Sequence, residues 1–403
     1  MLRICFSDQE IKEMAKREVF EQPHIEFDDV HGYLQQLFKG ELHSKRVLSL
    51  ANATHGVMAS ASLIIHAIGK GLSQTKGLLP KHAIKQVDRL LSNKGIDVWQ
   101  AFAYWVPQVV AERKDILVAM DWTEFDKDGH SSIVLSLVTN HGRATPLIWR
   151  TVEKDKLKDN RNAHEDALLV RLAEVLPHDV HVTILADRGF GDQKLFNFLD
   201  NDLGFDYVIR FRGNIHVTDA NGKTLPASEW VGKNGRARTL RHAQVTYNQY
   251  EVGTVVCVHE KDMKEPWCIA ASDPQAKART LINHYSKRWT IEPSFRDSKD
   301  LRFGMGMSAT RIRNTQRRDR LFLINAFAIV LLTLLGAAGE SLGYDRHLKA
   351  NTVKRRTHSL FRQGCMLFDL IPNMPENRLR PLLERFSEYI REHRFFSDVL
   401  CVV

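Results

Sequence analysis

The chain has 403 residues, 43% hydrophobic and 26% charged, which excludes a disordered chain and leaves room for two or three domains with full-sized cores. Its 57 Lys and Arg against 48 acids give a net charge of +9 and a pI near 9.2, a surplus that favours a polyanionic partner, nucleic acid first. The cysteines (Cys5, Cys257, Cys268, Cys365, Cys401) form no CxxC pair, which argues against a zinc site or a disulfide framework and fits a reducing cytoplasm.

The first residues, Met1 to Asp8, hold no apolar run of signal-peptide length, so secretion is not expected. Residues 1–110 lack strand alternation and predict a separate helical DNA-binding domain, with helices at Val57–Ile68 and His82–Leu91 joined by a turn-rich link from Gly69 to Pro80. Within the second helix Lys81, Lys85 and Arg89 recur every four residues, opposite Ile84, Val87 and Leu91. Such a face suits a DNA groove or its phosphates; a merely solvated face is the plainer alternative.

From Asp115 the pattern turns to strands: Ile116–Asp121, Ser132–Val138 and Thr145–Val152, then a helix at Ala163–Leu176 and a strand at His181–Asp187. A helix at Gln193–Asp200 and a strand at Tyr207–Arg212 follow. The order β-β-β-α-β-α-β predicts a ribonuclease-H-like α/β core over 111–212 and 276–340. Its first and fourth strands should lie side by side, bringing the acids that end them, Asp121 and Asp187, within metal-sharing distance. Residues 213–275 read as a β-rich insertion, and 341–403 as a helical C-terminal segment.

In the second part of that core Tyr285, Arg288, Glu292 and Lys299 recur at steps of three, four and seven, which on one helix places them near a single stripe. One acid among bases and a phenol suits a site where the acid holds a divalent metal and its neighbours grip phosphate oxygens; a solvated face with a Glu–Lys pair is the bland reading. Leu321–Gly339 approaches the ~20 residues that span a bilayer. It holds Asn325, closes on small residues and is the only such run, so it predicts a helix buried behind the sheet and no membrane association.

Asp121 and Asp187 singly are each better explained by a turn or a helix cap. Together with Glu292 they form a set of hard oxygen donors able to hold two Mg²⁺ ions ~3.5 to 4 Å apart, with Mn²⁺ as a substitute, for in-line phosphodiester chemistry. Glu124 and Asp126 are the alternatives if the strand boundary shifts.

With these residues assembled, the chain resembles the DDE transposases of bacterial insertion sequences, the insertion-sequence-four family. The family pattern Tyr, two residues, Arg, three residues, Glu, six residues, Lys is met by Tyr285, Arg288, Glu292 and Lys299. Asp121-Trp-Thr-Glu and Asp187-Arg-Gly-Phe resemble its two acidic motifs. With Asn140-His-Gly-Arg143, Lys264-Glu-Pro-Trp267 and Ala350-Asn-Thr-Val-Lys, the likeness covers most of 45–365. The resemblance implies a cytoplasmic, nucleoid-associated bacterial enzyme, dimeric on double-stranded DNA, that binds terminal inverted repeats, cuts them through a hairpin and joins them to target DNA. It also implies that Trp267 receives a flipped base, and that Arg210, Tyr285, Arg288 and Lys299 contact phosphates near the cleaved bond. Six arginines between Arg302 and Arg320 would extend that track. A ribonuclease-H-like nuclease and a non-catalytic DNA-binding regulator are the other classes compatible with these residues.

Overall fold

The computed structural model describes residues 27–392 and Val399. Expectations that fall on residues 1–26, 393–398 and 400–403, Cys5 and Cys401 among them, lie outside the described residues. Among the described residues five helices come first: α1 (Phe27–Phe38), α2 (Ser44–Ser60), α3 (Ile65–Lys76), α4 (Pro80–Leu91) and α5 (Val98–Val110). The break between α2 and α3 falls at Ala61, which adopts a left-handed φ of 44°, so the single helix expected over 57–68 is split. Conversely, the stretch expected as a turn from Gly69 is helical as far as Lys76. Its glycines serve close packing rather than a turn: a Cβ on Gly69 would lie 2.5 Å from Ile84 Cα, and one on Gly71 2.7 Å from the Gly56 carbonyl oxygen. On α4, Pro80 occupies the first helical turn, where its missing N–H costs nothing. Ala83, Val87, Leu90 and Leu91 face the core, which leaves Lys81, Lys85 and Arg89 exposed.

The sheet has ten strands: β1 (Asp115–Phe125), β2 (His130–Val138), β3 (Ala144–Glu153), β4 (His181–Ala186), β5 (Asp206–Phe211), β6 (His216–Thr218), β7 (Thr224–Pro226), β8 (Arg238–Val245), β9 (Tyr250–Val258) and β10 (Trp267–Ala271). Their spatial order is β3-β2-β1-β4-β5-β10-β9-β8-β6-β7. The first three strands form an antiparallel meander, while β4 lies parallel to both β1 and β5. Helix α6 (Arg161–Val175) crosses between β3 and β4, and α7 (Gln193–Asn197) between β4 and β5. The mixed α/β architecture is consistent with a ribonuclease-H-like domain. The strands after β5 build no separate sheet, because β10 pairs with β5 and carries the same ladder onward.

Asp121 does not end its strand. β1 stays paired with β2 from Val118 to Phe125, whereas its parallel pairing with β4 stops at Met120 opposite Ala186. Asp121 therefore stands where its neighbour runs out, one residue beyond that last pair, as does Asp187 on the β4 side.

Behind the sheet, α10 (Thr315–Ser341) carries the long apolar run, and 94% of its most hydrophobic window is buried inside the fold. It packs on β3, α2, α11 (Leu360–Leu370) and α12 (Glu376–Arg391). The crossing with α11 is too close for side chains: a Cβ on Gly336 would lie 1.9 Å from the Leu360 carbonyl oxygen, and one on Gly364 1.8 Å from that of Leu332. Asn325, fully buried, donates to Ser298 Oγ at 3.1 Å and ties α10 to the helix bearing Glu292.

This packing corrects the basic track expected between Arg302 and Arg320. Arg318 is fully buried and paired with Asp128. Arg320 donates to the Ile96 carbonyl at 2.8 Å and the Leu91 carbonyl at 3.1 Å, and Arg317 is paired with Asp88 at 2.6 Å. Arg317 and Arg320 thus join the N-terminal helices to α10, Arg318 ties α10 to the β1–β2 turn, and Arg302, Arg311 and Arg313 remain exposed.

Candidate active site

The expected single helix across 285–299 consists of α8 (Ala278–Lys287), a 3₁₀ turn at Arg288–Thr290 and α9 (Ile291–Lys299). Pro293 accounts for the break: it has no N–H to return to Trp289, and its ring crowds that carbonyl. Across the break Arg288 and Lys299 reach β1, and Tyr285 and Glu292 lie against Arg288. Arg288, 4% exposed, places Nη1 3.4 Å from Asp121 Oδ2 and donates from Nη2 to Glu292 Oε1 at 3.1 Å. Lys299 Nζ donates to Thr123 Oγ1 at 2.9 Å and to the Glu124 carbonyl at 2.6 Å. Tyr285 is buried, its ring edge-on to that of Trp267 at 4.8 Å between centroids, with the Arg288 guanidinium 5.9 Å from its centre.

Asp121 is held from two sides: its Oδ1 accepts the Trp122 N–H at 2.8 Å, and its Oδ2 faces Arg288. Burial raises its carboxyl from 3.8 to about 6; the charges of Asp187 and Glu292 add to that rise, and Arg288 opposes it. The three acids therefore share one electrostatic neighbourhood although they come from β1, the end of β4 and α9. Asp187 Oδ1 accepts the Gly189 N–H at 2.7 Å, which orients it at the turn after β4. Among the described residues no three acids, histidines or cysteines close into a metal-holding group. The Arg288 guanidinium bridges Asp121 and Glu292. The donor chemistry nevertheless fits a hard divalent cation: three carboxylates, one of them buried at a cost that a positive ion would relieve. The alternative acids point elsewhere, since Lys154 pairs with Glu124 at 3.2 Å and with Asp126 at 2.6 Å.

On the far side of Tyr285, Arg210 on β5 donates from Nη2 to Glu265 Oε1 at 2.8 Å and to the Pro266 carbonyl at 3.2 Å. Trp267, half-buried, opens β10 immediately beyond. Arg188, next to Asp187, donates to both oxygens of Glu265 at 2.9 and 2.8 Å. Neither Arg188 nor Glu265 stands out as a site residue in the sequence, although both sit inside recognised stretches, Asp187-Arg-Gly-Phe and Lys264-Glu-Pro-Trp267. The basic residues Lys81, Lys85 and Arg89 lie apart from this cleft, exposed on α4 among the N-terminal helices.

A constellation of three carboxylates ringed by phenol, guanidinium and ammonium groups can bind a polyanion and hydrolyse or transfer its phosphodiesters. The profile of the transposase DDE domain matches residues 114–331, more than half of the chain, and the chain belongs to that family. No curated protein matches it. Membership brings transposase-type nuclease chemistry and DNA binding, and domains of this family generally use divalent metal ions.

Proposed function

We propose that this member of the transposase DDE-domain family is the cut-and-paste transposase of a bacterial insertion sequence of the insertion-sequence-four family, similar to the transposase of the tetracycline-resistance transposon Tn10. It acts as a homodimer that pairs two terminal inverted repeats. Asp121, Asp187 and Glu292 would hold two Mg²⁺ ions. The ions, when bound, activate the attacking water or 3′-hydroxyl and stabilise the departing oxygen.

The observation that carries this reading is the Arg288 guanidinium, hydrogen-bonded to Glu292 and facing Asp121. It ties the Tyr-Arg-Glu-Lys stripe to the acid of β1 in one cleft. On DNA binding Arg288 transfers its fork from those carboxylates to a phosphate, a bidentate match that a lysine could not make, while Lys299 contributes a point charge. Tyr285 and Arg210 line the same phosphate path. Trp267 packs T-shaped against Tyr285 and is only half-buried, and a flipped base stacked on it would gain ~1 to 3 kcal/mol. Lys81, Lys85 and Arg89 meet the duplex away from the cut.

Strand transfer separates this reading from a general nuclease. Pre-cut, labelled terminal-repeat ends with free 3′-hydroxyls, incubated with a supercoiled plasmid and Mg²⁺, should become covalently joined to it. Cutting without joining would leave the nuclease, and binding alone the regulator.

A further inference from the structure

At the mouth of the cleft two arginines converge on one carboxylate. Glu265, in the turn between β9 and β10, accepts both bonds from Arg188 and a third from Arg210. Arg188 follows Asp187 directly, and Trp267 stands two residues beyond Glu265, so the triad borders both an acid of the site and the aromatic that faces Tyr285. Arg210 is firmly seated, its side chain 13% exposed, but its Nε has no partner. Arg188 and Glu265 are half exposed, at 52% and 48%. Exposed ion pairs of this kind contribute little to stability, so the triad is poorly explained as a strut. The two arginines hold Glu265 well below the usual carboxylate range, as a firm anion at neutral pH. A carboxylate between two guanidinium groups presents the same charge and the same acceptor pair as two non-bridging oxygens of a phosphodiester.

We propose that Glu265 is an internal stand-in for a DNA phosphate: it occupies Arg188 and Arg210 in the DNA-free chain and yields both to the duplex, making Arg188 a further DNA contact. The proposal rests on the DNA-cutting reading above. Because the turn bearing Glu265 leads straight into Trp267, its release also frees the segment that positions that ring. The stand-in keeps two arginines beside Asp187 from gripping any passing anion, so non-specific DNA is held less tightly than the cleft's charge alone would allow.

The test is equilibrium binding, in EDTA to prevent cutting, of a fluorescent duplex carrying the inverted repeat that flanks this coding sequence, across salt from about 0.05 to 0.3 M. Glu265→Gln should bind about three- to tenfold tighter at ~0.1 M salt with a similar log–log salt slope, since both proteins give the same two arginines to phosphates and only the cost of releasing them from Glu265 is removed. Arg188→Gln should bind more weakly with a slope shallower by about 0.9, and in the double variant the Glu265→Gln gain should shrink markedly, since both act through one contact. Wild-type binding with Glu265→Gln equal or weaker would overturn the stand-in and make Glu265 a positioning residue. Failure of the wild type to bind this duplex would overturn the transposase reading, and the proposal with it.

Discussion

Replacing Asp121 by Asn should remove strand cleavage and yet make the metal-free protein more stable. Burial, together with Asp187 and Glu292, raises the Asp121 carboxyl from 3.8 to about 6 against the pull of Arg288. Its side chain is only 22% exposed, so solvent screens little of this effect. A displacement of about two units corresponds to about 3 kcal/mol at ~1.36 kcal/mol per unit. The sign follows from linkage. A carboxyl raised by folding contributes stability that is fully present below its unfolded value near 3.8 and is lost as the pH rises through about 6. At neutral pH the ionised Asp121 therefore burdens the metal-free fold, and Asn, of the same shape and still able to accept the Trp122 N–H, lifts that burden. Part of the gain is offset because Arg288 loses a charged neighbour, which leaves an expected net of about 1 to 3 kcal/mol and a melting temperature higher by a few degrees. Urea and thermal unfolding in EDTA should show the gap near pH 7.5 and its closure near pH 4. Adding Mg²⁺ should stabilise the wild type and leave Asp121→Asn unmoved, while the variant still binds terminal-repeat DNA. A variant less stable than the wild type at pH 7.5, or one that still cleaves, would refute the assignment of Asp121 to a strained, cation-seeking site.

Trp267→Ala should leave first-strand nicking intact and lower hairpin formation about tenfold, the equivalent of ~1.4 kcal/mol of lost stacking; equal losses in both steps on denaturing gels would contradict its role. Replacing Lys81, Lys85 and Arg89 together by Gln should leave the fold intact, because all three are exposed, and should make the salt slope of DNA binding shallower by about 2.7; an unchanged slope would remove α4 from the interface. Arg318→Ala should destabilise the fold by about 3 to 5 kcal/mol by leaving Asp128 buried and unpaired, as urea unfolding would measure, and a loss under about 0.5 kcal/mol would return Arg318 to the DNA track.

The strand order from β1 to β5 is legible in the sequence because each strand keeps its own apolar period and the parallel crossovers from β3 to β5 allow few arrangements. What escapes is whatever depends on a distant partner. The glycines of α3 look like turn residues until Ile84 and Gly56 are seen pressed against them. The arginines of α10 look like a phosphate track until Asp128, Asp88 and the carbonyls of Leu91 and Ile96 are found bonded to them. The Tyr-Arg-Glu-Lys stripe is recognisable from its spacing because its members share one stretch of helix, even though Pro293 interrupts that helix. Glu265 is not, since its partner Arg188 is 77 positions away. The end of β1 is hidden for a further reason: Trp122 to Phe125 continue the strand against β2 alone, with no second neighbour to make the run uniformly apolar.

The most direct test of the central claim is cleavage of a plasmid that bears this coding sequence's flanking inverted repeats, with Mg²⁺ or with EDTA, resolved on denaturing gels. Metal-dependent hairpins at the repeat ends are the predicted result. Nicks without hairpins or end preference, or cleavage that persists in EDTA, would contradict it.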